Sequence, residues 1–307
     1  CFERAEKLKP CPIGQSGACC KVCHMGPCRL VGKNAEEEAK GVCGATLPTI
    51  AARNLVRMIA AGTAAHSDHA RDMVLTLLAA ATGEAKDFQI TDVRKLYRVA
   101  EILGVEFEGR PVNDVAKDVA LKFLEDYSRQ KGEINYAKRA PKKTQERWRK
   151  WGIVPRNIDR EIAEALHRTS VGVDHDPDHL LLHGLRTALA DGWGGCMIST
   201  DITDILFGTP RPVKAEASFG IFKEDEVNLV VHGHEPSLAE MIVDVASEPE
   251  MIAYAKSKGA KGINLGGMCC TANEILMRHG IPTAGGFTNQ ELGIMTGLVD
   301  ALTVDVQ

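Results

Sequence analysis

The 307-residue sequence contains no run of about 18 apolar residues, so no transmembrane helix is expected. Nor has it a strong excess of charge. The formal net charge is −4, which gives no global pull toward nucleic acid or an anionic membrane. No secretory signal is legible at the start. The chain opens at Cys1 instead of methionine, as expected of a processed or incomplete polypeptide. Ten cysteines are few for a disulfide scaffold of this length, and free thiols in such numbers imply a reducing cytoplasm. Strand signals are weak until about residue 208, so the first part reads as mainly α. What remains is ordinary: 44% apolar and 25% charged, the composition of a soluble globular protein. A chain of this length buries roughly three quarters of its unfolded surface and suits two domains.

The cysteines are not spread evenly. Cys11, Cys19, Cys20, Cys23, Cys28 and Cys43 follow the pattern C-x7-CC-x2-C-x4-C-x14-C. The short gaps turn the chain back on itself, so Cys20, Cys23, Cys28 and Cys43 can converge on one metal centre. Four thiolates of this kind hold zinc or an iron–sulfur cluster. Cys11 and Cys19 remain as a second pair, which does not complete a four-thiolate site. A symmetric homodimer could supply two from each subunit to one cluster on its two-fold axis. A structural zinc site and a disulfide framework are the competing readings. Gly14, Gly17, Gly26, Gly41 and Gly44 favour the cluster, because backbone without Cβ lets N–H groups approach sulfur. Lys21 and Arg29 can offset its negative charge.

Beyond the cysteines, Leu47, Ile50, Ala51, Leu55, Met58 and Ile59 mark one face of a helix, with Arg53, Asn54 and Arg57 on the other. His66 and His69, three apart, share a helical face; such a pair is commonly solvated or capping. Further helices follow. Thr91 or Asp92 caps one that Gly104 stops, Asn113 or Asp114 opens another, and Ile158, Ile162 and Leu166 mark a third. The run Lys138 to Lys150 is strongly basic, the usual sign of a solvated helix face; with Trp148 and Trp151 beside it, it could also dock a partner.

Near Phe207-Gly208-Thr209-Pro210 the pattern changes. Val227 to Val231 reads as a strand ending in His232-Gly-His234, followed by a helix of about twenty residues and a second strand, Gly262 to Gly266. This βαβ alternation predicts a parallel sheet, whose ligands collect beyond the carboxyl ends of the strands. His232 and His234 follow the first strand end; Cys269 and Cys270 follow the second. Either pair alone could be inert, hydrogen-bonding a loop or buried as a small hydrophobe. Together at matching strand ends they predict a metal site.

The cysteine pattern, with Gly-Pro-Cys28-Arg29 and Gly-Val-Cys43-Gly-Ala, resembles the amino-terminal region of the anaerobic nickel–iron carbon monoxide dehydrogenases. Val231-His-Gly-His234-Glu-Pro and Gly-Met-Cys269-Cys270-Thr-Ala-Asn-Glu274 resemble two blocks bordering that family's active-site cluster. The resemblance implies a helical Fe–S cluster domain over residues 1–208 and a Rossmann-like α/β domain, cut short, over 209–307. It implies a 4Fe-4S cluster within the subunit on Cys20, Cys23, Cys28 and Cys43, and an Fe-S cluster shared across a homodimer on Cys11 and Cys19. It also implies a Ni-Fe-S active-site cluster, with His234 on the exterior iron and Cys270 on another metal, and leaves Cys269 without a settled role. Asp191 matches an acidic residue near the active site. His66 and His69 match histidines implicated in proton traffic, although Asp72 and Leu75 stand where the family's pattern continues in histidine. The implied reaction interconverts CO and water with CO2, two protons and two electrons, which pass to a ferredoxin-like acceptor. Family members are considerably longer, and the remaining ligands are expected beyond Gln307, where the sequence stops within a strand-like run from Ala301. A hybrid-cluster hydroxylamine reductase, a pure electron-transfer module and a zinc-stabilised scaffold are the alternatives.

Overall fold

A computed structural model describes residues 2–31, 39–234 and 236–305. Its first unit is built on one helix, Leu47–Thr82, of 36 residues. At 1.5 Å per residue it is ~54 Å long. Alanine and leucine, both strong helix formers, dominate it. Pro48 falls in the first turn, where its missing N–H costs nothing. Gly83, at φ +80°, ends it. Around it pack the helices Val112–Ser128, Ile158–Arg168 and Pro177–Ala190. Ala52, Val56 and Ala60 meet Ala165 and Leu180, small against large, which lets the helices approach closely. Asn157 caps Ile158–Arg168 through Arg160 N–H, and Asp176 caps Pro177–Ala190 through Asp178 and His179 N–H.

The buried face of the long helix is not the one its apolar pattern suggests. Leu55 and Met58 are exposed, Met58 by 71%, while Thr49, Ile50, Ala52, Arg53 and Val56 are buried. The helix is rotated so that Arg53 turns inward, for a reason that lies among the cysteines. The basic segment forms the helix Lys142–Trp151. Trp148 anchors it edge-on to Trp193 at 5.4 Å, and Trp151 is exposed. Arg149 there makes two bonds to the Glu133 carboxylate, 2.8 and 2.7 Å.

The chain divides into two compact units, Cys1–Thr82 with Arg98–Ser199, and Gly83–Tyr97 with Thr200–Gln307. The second unit carries a four-stranded parallel sheet. Its strands are β3 (Val227–Gly233), β4 (Ile263–Met268), β5 (Thr283–Gly285) and β6 (Ala301–Val304), in the order β5-β4-β3-β6. The strands β1 (Cys19–Cys20) and β2 (Cys28–Arg29) belong to the first unit. Both sheet faces are covered, as parallel sheets require. Val230, Met268, Ala284 and Phe222 pack on one, Val231, Ala239, Val243 and Ile275 on the other. The connection expected as one long helix is two, Pro236–Ser247 and Pro249–Ser257. Pro249 cannot continue a helix and starts a new one. The result is a helical region followed by a parallel α/β sheet. Among the described residues no helix is long and apolar enough to cross a membrane.

Candidate metal centres

The cysteine segment folds as a small antiparallel ribbon, β1 against β2, pairing Cys20 with Cys28 and Cys19 with Arg29. Cys23 lies in the connecting turn, closed by Gly26 N–H to the Cys23 carbonyl at 3.2 Å. The turn favours glycine at 26, since a Cβ there would press on backbone, 3.0 Å from the Cys20 carbonyl oxygen and 3.2 Å from Cys28 N. Cys43 arrives from a second turn, Gly41 N–H to Ala45 carbonyl at 2.8 Å, just ahead of the long helix.

The four thiols of Cys20, Cys23, Cys28 and Cys43 line one cavity of about 100 Å³, together with Ile50 and Arg53. Burial pushes the Cys43 thiol up, but hydrogen bonds from His175, Arg53 and the Ala45 and Gly172 backbone outweigh it, bringing it down to about 6. Cys43 is thus poised as a thiolate, the form that binds metal. Arg53 is wholly buried, and its Nε has no hydrogen-bond partner. A soft anionic donor set beside an orphaned cationic N–H fits an iron–sulfur cluster, whose sulfides accept hydrogen bonds.

Cys11 and Cys19 sit differently. Cys11 is exposed and begins the turn Pro12–Gln15. The N–H groups of Gly14 and Ile13 hold its thiol below the usual range. Cys19 is buried in β1, its carbonyl accepting from Asn54 Nδ2 at 3.3 Å.

A third grouping forms where the chain widens into a π-turn over Asp191–Cys196. Such turns recur at functional sites because they displace a side chain from the helical register. His66 Nδ1 lies 2.8 Å from Asp191 Oδ1, and the Cys196 thiol donates to that same oxygen at 3.2 Å. Gly195 makes the approach possible, since a Cβ there would sit 3.2 Å from the His66 carbonyl oxygen. His69, one turn on, is buried, whereas Asp72 and Leu75 are exposed. The structure therefore brings His66 and Asp191 together. It adds Cys196, a residue sequence reasoning passed over although it closes the run Asp-Gly-Trp-Gly-Gly-Cys.

In the α/β unit, β3 and β4 run in parallel register from Val227↔Ile263 to His232↔Met268. One further bridge pairs Gly233 with Cys269. His234 and Cys270 are the residues that follow this bridge at the carboxyl edge, Cys270 within the first turn of a helix. The His234 N–H donates to Asp305 Oδ1 at 2.6 Å, tying this edge to the segment after β6. Cys270 is exposed. His232, by contrast, is buried, bonded to Gln290 Oε1 and 3.8 Å from Cys269 Sγ. Cys269 adopts φ +62°, a left-handed conformation rare for a residue with Cβ. Such strain costs about 1–3 kcal/mol and gathers at functional sites.

Cys269–His279 is the helix that presents these cysteines, and a buried charge network holds its far end. Arg278 reaches Glu274 at 2.5 Å, Glu240 at 3.3 Å and Asp204 at 3.5 Å, and donates to the Gly208 carbonyl. Burial raises the Asp204 and Glu274 carboxyls, opposed by Lys95 at Asp204 and by Arg278 at both. Arg278→Met strands the Glu274 carboxylate without its cation, Asp204 keeping Lys95 at 2.8 Å, so a stability loss of about 3–5 kcal/mol is expected in denaturant unfolding. A loss below 1 kcal/mol would show that the network does not anchor the helix.

Curated relatives align along the whole chain. It is 53% identical over 309 residues to Carbon monoxide dehydrogenase 1 of Methanosarcina mazei, covering 100% of this chain and 49% of that protein. It is 49% identical over 315 residues to Carbon monoxide dehydrogenase 1 of Carboxydothermus hydrogenoformans, covering 100% and 48%. Among solved structures, a nickel-free carbon monoxide dehydrogenase from Thermococcus sp. AM4 superposes with a TM-score of 0.88 at 51% identity, covering 99% of this chain and 48% of that one. The chain spans about half the length of the relatives it matches. A family model described as Prismane/CO dehydrogenase matches residues 18–307, nearly the whole sequence, and the chain belongs to that family.

Proposed function

We propose that this chain forms the electron-relay part, and one wall of the active site, of a nickel–iron carbon monoxide dehydrogenase. The observation that supports the reading is the Gly233–Cys269 bridge, after which His234 and Cys270 each follow at the carboxyl edge of the sheet. A neutral imidazole nitrogen and a thiolate there suit a mixed-metal centre. When bound, a Ni-Fe-S cluster supplies Lewis acidity and a place for two electrons. The chain's own residues do the rest. His234, anchored through its backbone to Asp305, is a fixed donor, and Cys270 is a soft one. His66, hydrogen-bonded to Asp191, is suited to hold and pass a proton, with Asp191 fixing ring orientation and tautomer. His69 continues the helical face one turn on.

Electrons would leave through the cluster on Cys20, Cys23, Cys28 and Cys43, then through one shared across a homodimer by Cys11 and Cys19, to a ferredoxin-like acceptor. Exposure of Cys11 supports the shared site, since a second chain can reach it. A Cys11→Ser, Cys19→Ser double variant is expected to lose the iron of half a cluster per chain and to dimerise more weakly. Iron analysis beside analytical ultracentrifugation checks this, and a monomeric native protein with intact clusters contradicts it.

The deciding experiment is metal analysis and CO-dependent viologen reduction on the anaerobically purified complete polypeptide. Iron with nickel and CO oxidation is the expected result. Zinc without iron, or hydroxylamine reduction in place of CO oxidation, would overturn the reading.

A further inference from the structure

Arg53 is a buried cation. It is 0% exposed, and among the described residues no carboxylate pairs with it. Its Nη2 donates to the Asp174 carbonyl at 3.0 Å, its Nη1 lies 3.7 Å from Cys43 Sγ, and its Nε has no partner. Arg53 thus lines the four-cysteine cavity with its Nη1 toward the Cys43 sulfur. A buried charge is strongly unfavourable unless compensated, and the group of anionic character that the structure sets against Arg53 is the Cys43 sulfur, one of the four that line this cavity.

We propose that Arg53 is the counter-ion and hydrogen-bond donor of the four-thiolate cluster, and that it sets that cluster's reduction potential. The inference rests on reading Cys20, Cys23, Cys28 and Cys43 as ligands of a 4Fe-4S cluster. On reduction by a low-potential one-electron donor, the cluster core passes from 2+ to 1+. With its four thiolates, the whole goes from a net charge of 2− to 3−. No bond forms or breaks and no proton moves. A fixed positive charge in contact with the cluster stabilises the 3− state more than the 2− state, and weak screening in a buried site enlarges the difference. The guanidinium adds N–H donors directed in a fixed planar fork. Arg53 therefore raises the midpoint and makes the cluster easier to reduce.

The test is EPR-monitored potentiometry on the complete, anaerobically purified polypeptide and its variants. Arg53→Met is expected to move the midpoint of this cluster to more negative potential. The expected size is at least a tenfold change in the reduced-to-oxidised ratio at fixed potential, about 59 mV for a one-electron couple. Arg53→Gln keeps an N–H donor and loses the charge. It is expected to shift in the same direction, and it decides the matter if the methionine variant fails to assemble. Arg168→Ala is the structural control: it removes the 3.3 Å contact to the Asp174 carboxylate, loosening the same loop from outside, and should leave the midpoint in place. An unchanged midpoint in an assembled Arg53 variant would overturn the proposal. So would loss of the cluster from both Arg53 variants with the fold intact by circular dichroism, which would make the residue purely structural. Absence of the 4Fe-4S signal from the unsubstituted protein would instead sink the ligand assignment.

Discussion

Cys28→Ser is expected to remove one 4Fe-4S cluster, about four irons, from each chain. Serine offers a hard oxygen, protonated at neutral pH, where iron in a sulfide core needs a soft thiolate. The position has little room to adapt. Cys28 is paired with Cys20 across the ribbon, and Gly41 stands against it, its would-be Cβ 3.6 Å from Cys28 Sγ. A shift of the strand to rescue an oxygen ligand would therefore drag both turns. The segment also has little core of its own. Cys20, Leu30, Ala45 and Ile50 are its buried members, two of them small. Where metal binding supplies folding free energy, losing the cluster loosens the fold around it. Iron analysis and visible absorption should fall together, and limited proteolysis should cut within the cysteine segment. Unchanged iron and unchanged absorption would remove Cys28 from the ligand set.

Local chemistry made much of this fold legible. Asp92 caps its helix, accepting from Lys95 N–H at 2.8 Å, and the helix runs Val93–Leu103 up to Gly104. Ile158, Ile162 and Leu166 mark a helix that runs Ile158–Arg168. The strand read from Val227 continues two residues further, to Gly233, and the strand expected from Gly262 to Gly266 runs Ile263–Met268. Helix and strand periods are written into one stretch of chain, and there they read clearly. The start expected at Asn113 or Asp114 is late by one or two residues, because Pro111 precedes the first turn, which opens at Val112.

What depends on distant partners was not legible. Ile50 and Arg53 share a face by their spacing of three, yet Leu55 and Met58 pull an apolar reading to the other side. Burial of Arg53 follows from the cysteine cavity, not from the helix. β5 is three residues in a glycine-rich stretch, too short to carry a period, and is a strand because β4 pairs with it. Cys196 joins Asp191 and His66 only because the π-turn shifts it out of helical register. The positive φ of Cys269 belongs to a strand-to-helix corner that residue types alone do not reveal.

His234→Ala in the complete polypeptide is expected to abolish CO oxidation while the amino-terminal cluster signals stay intact. The two effects separate because the residues belong to different units: the cysteine ribbon folds around the long helix, whereas His234 follows β3. Alanine removes the imidazole and little else, since the backbone N–H of residue 234 still bonds to Asp305. His232 cannot substitute without breaking its own bond to Gln290 and leaving the core, where it is buried. Cys270→Ser tests the other donor. Its hydroxyl occupies the same exposed first turn of the helix Cys269–His279, so the fold should persist while nickel and iron at this centre fall. Activity in the His234 variant within tenfold of the unsubstituted enzyme would rule out the imidazole as an essential ligand. Loss of the relay-cluster EPR signal from the same variant would show that the two centres assemble as one.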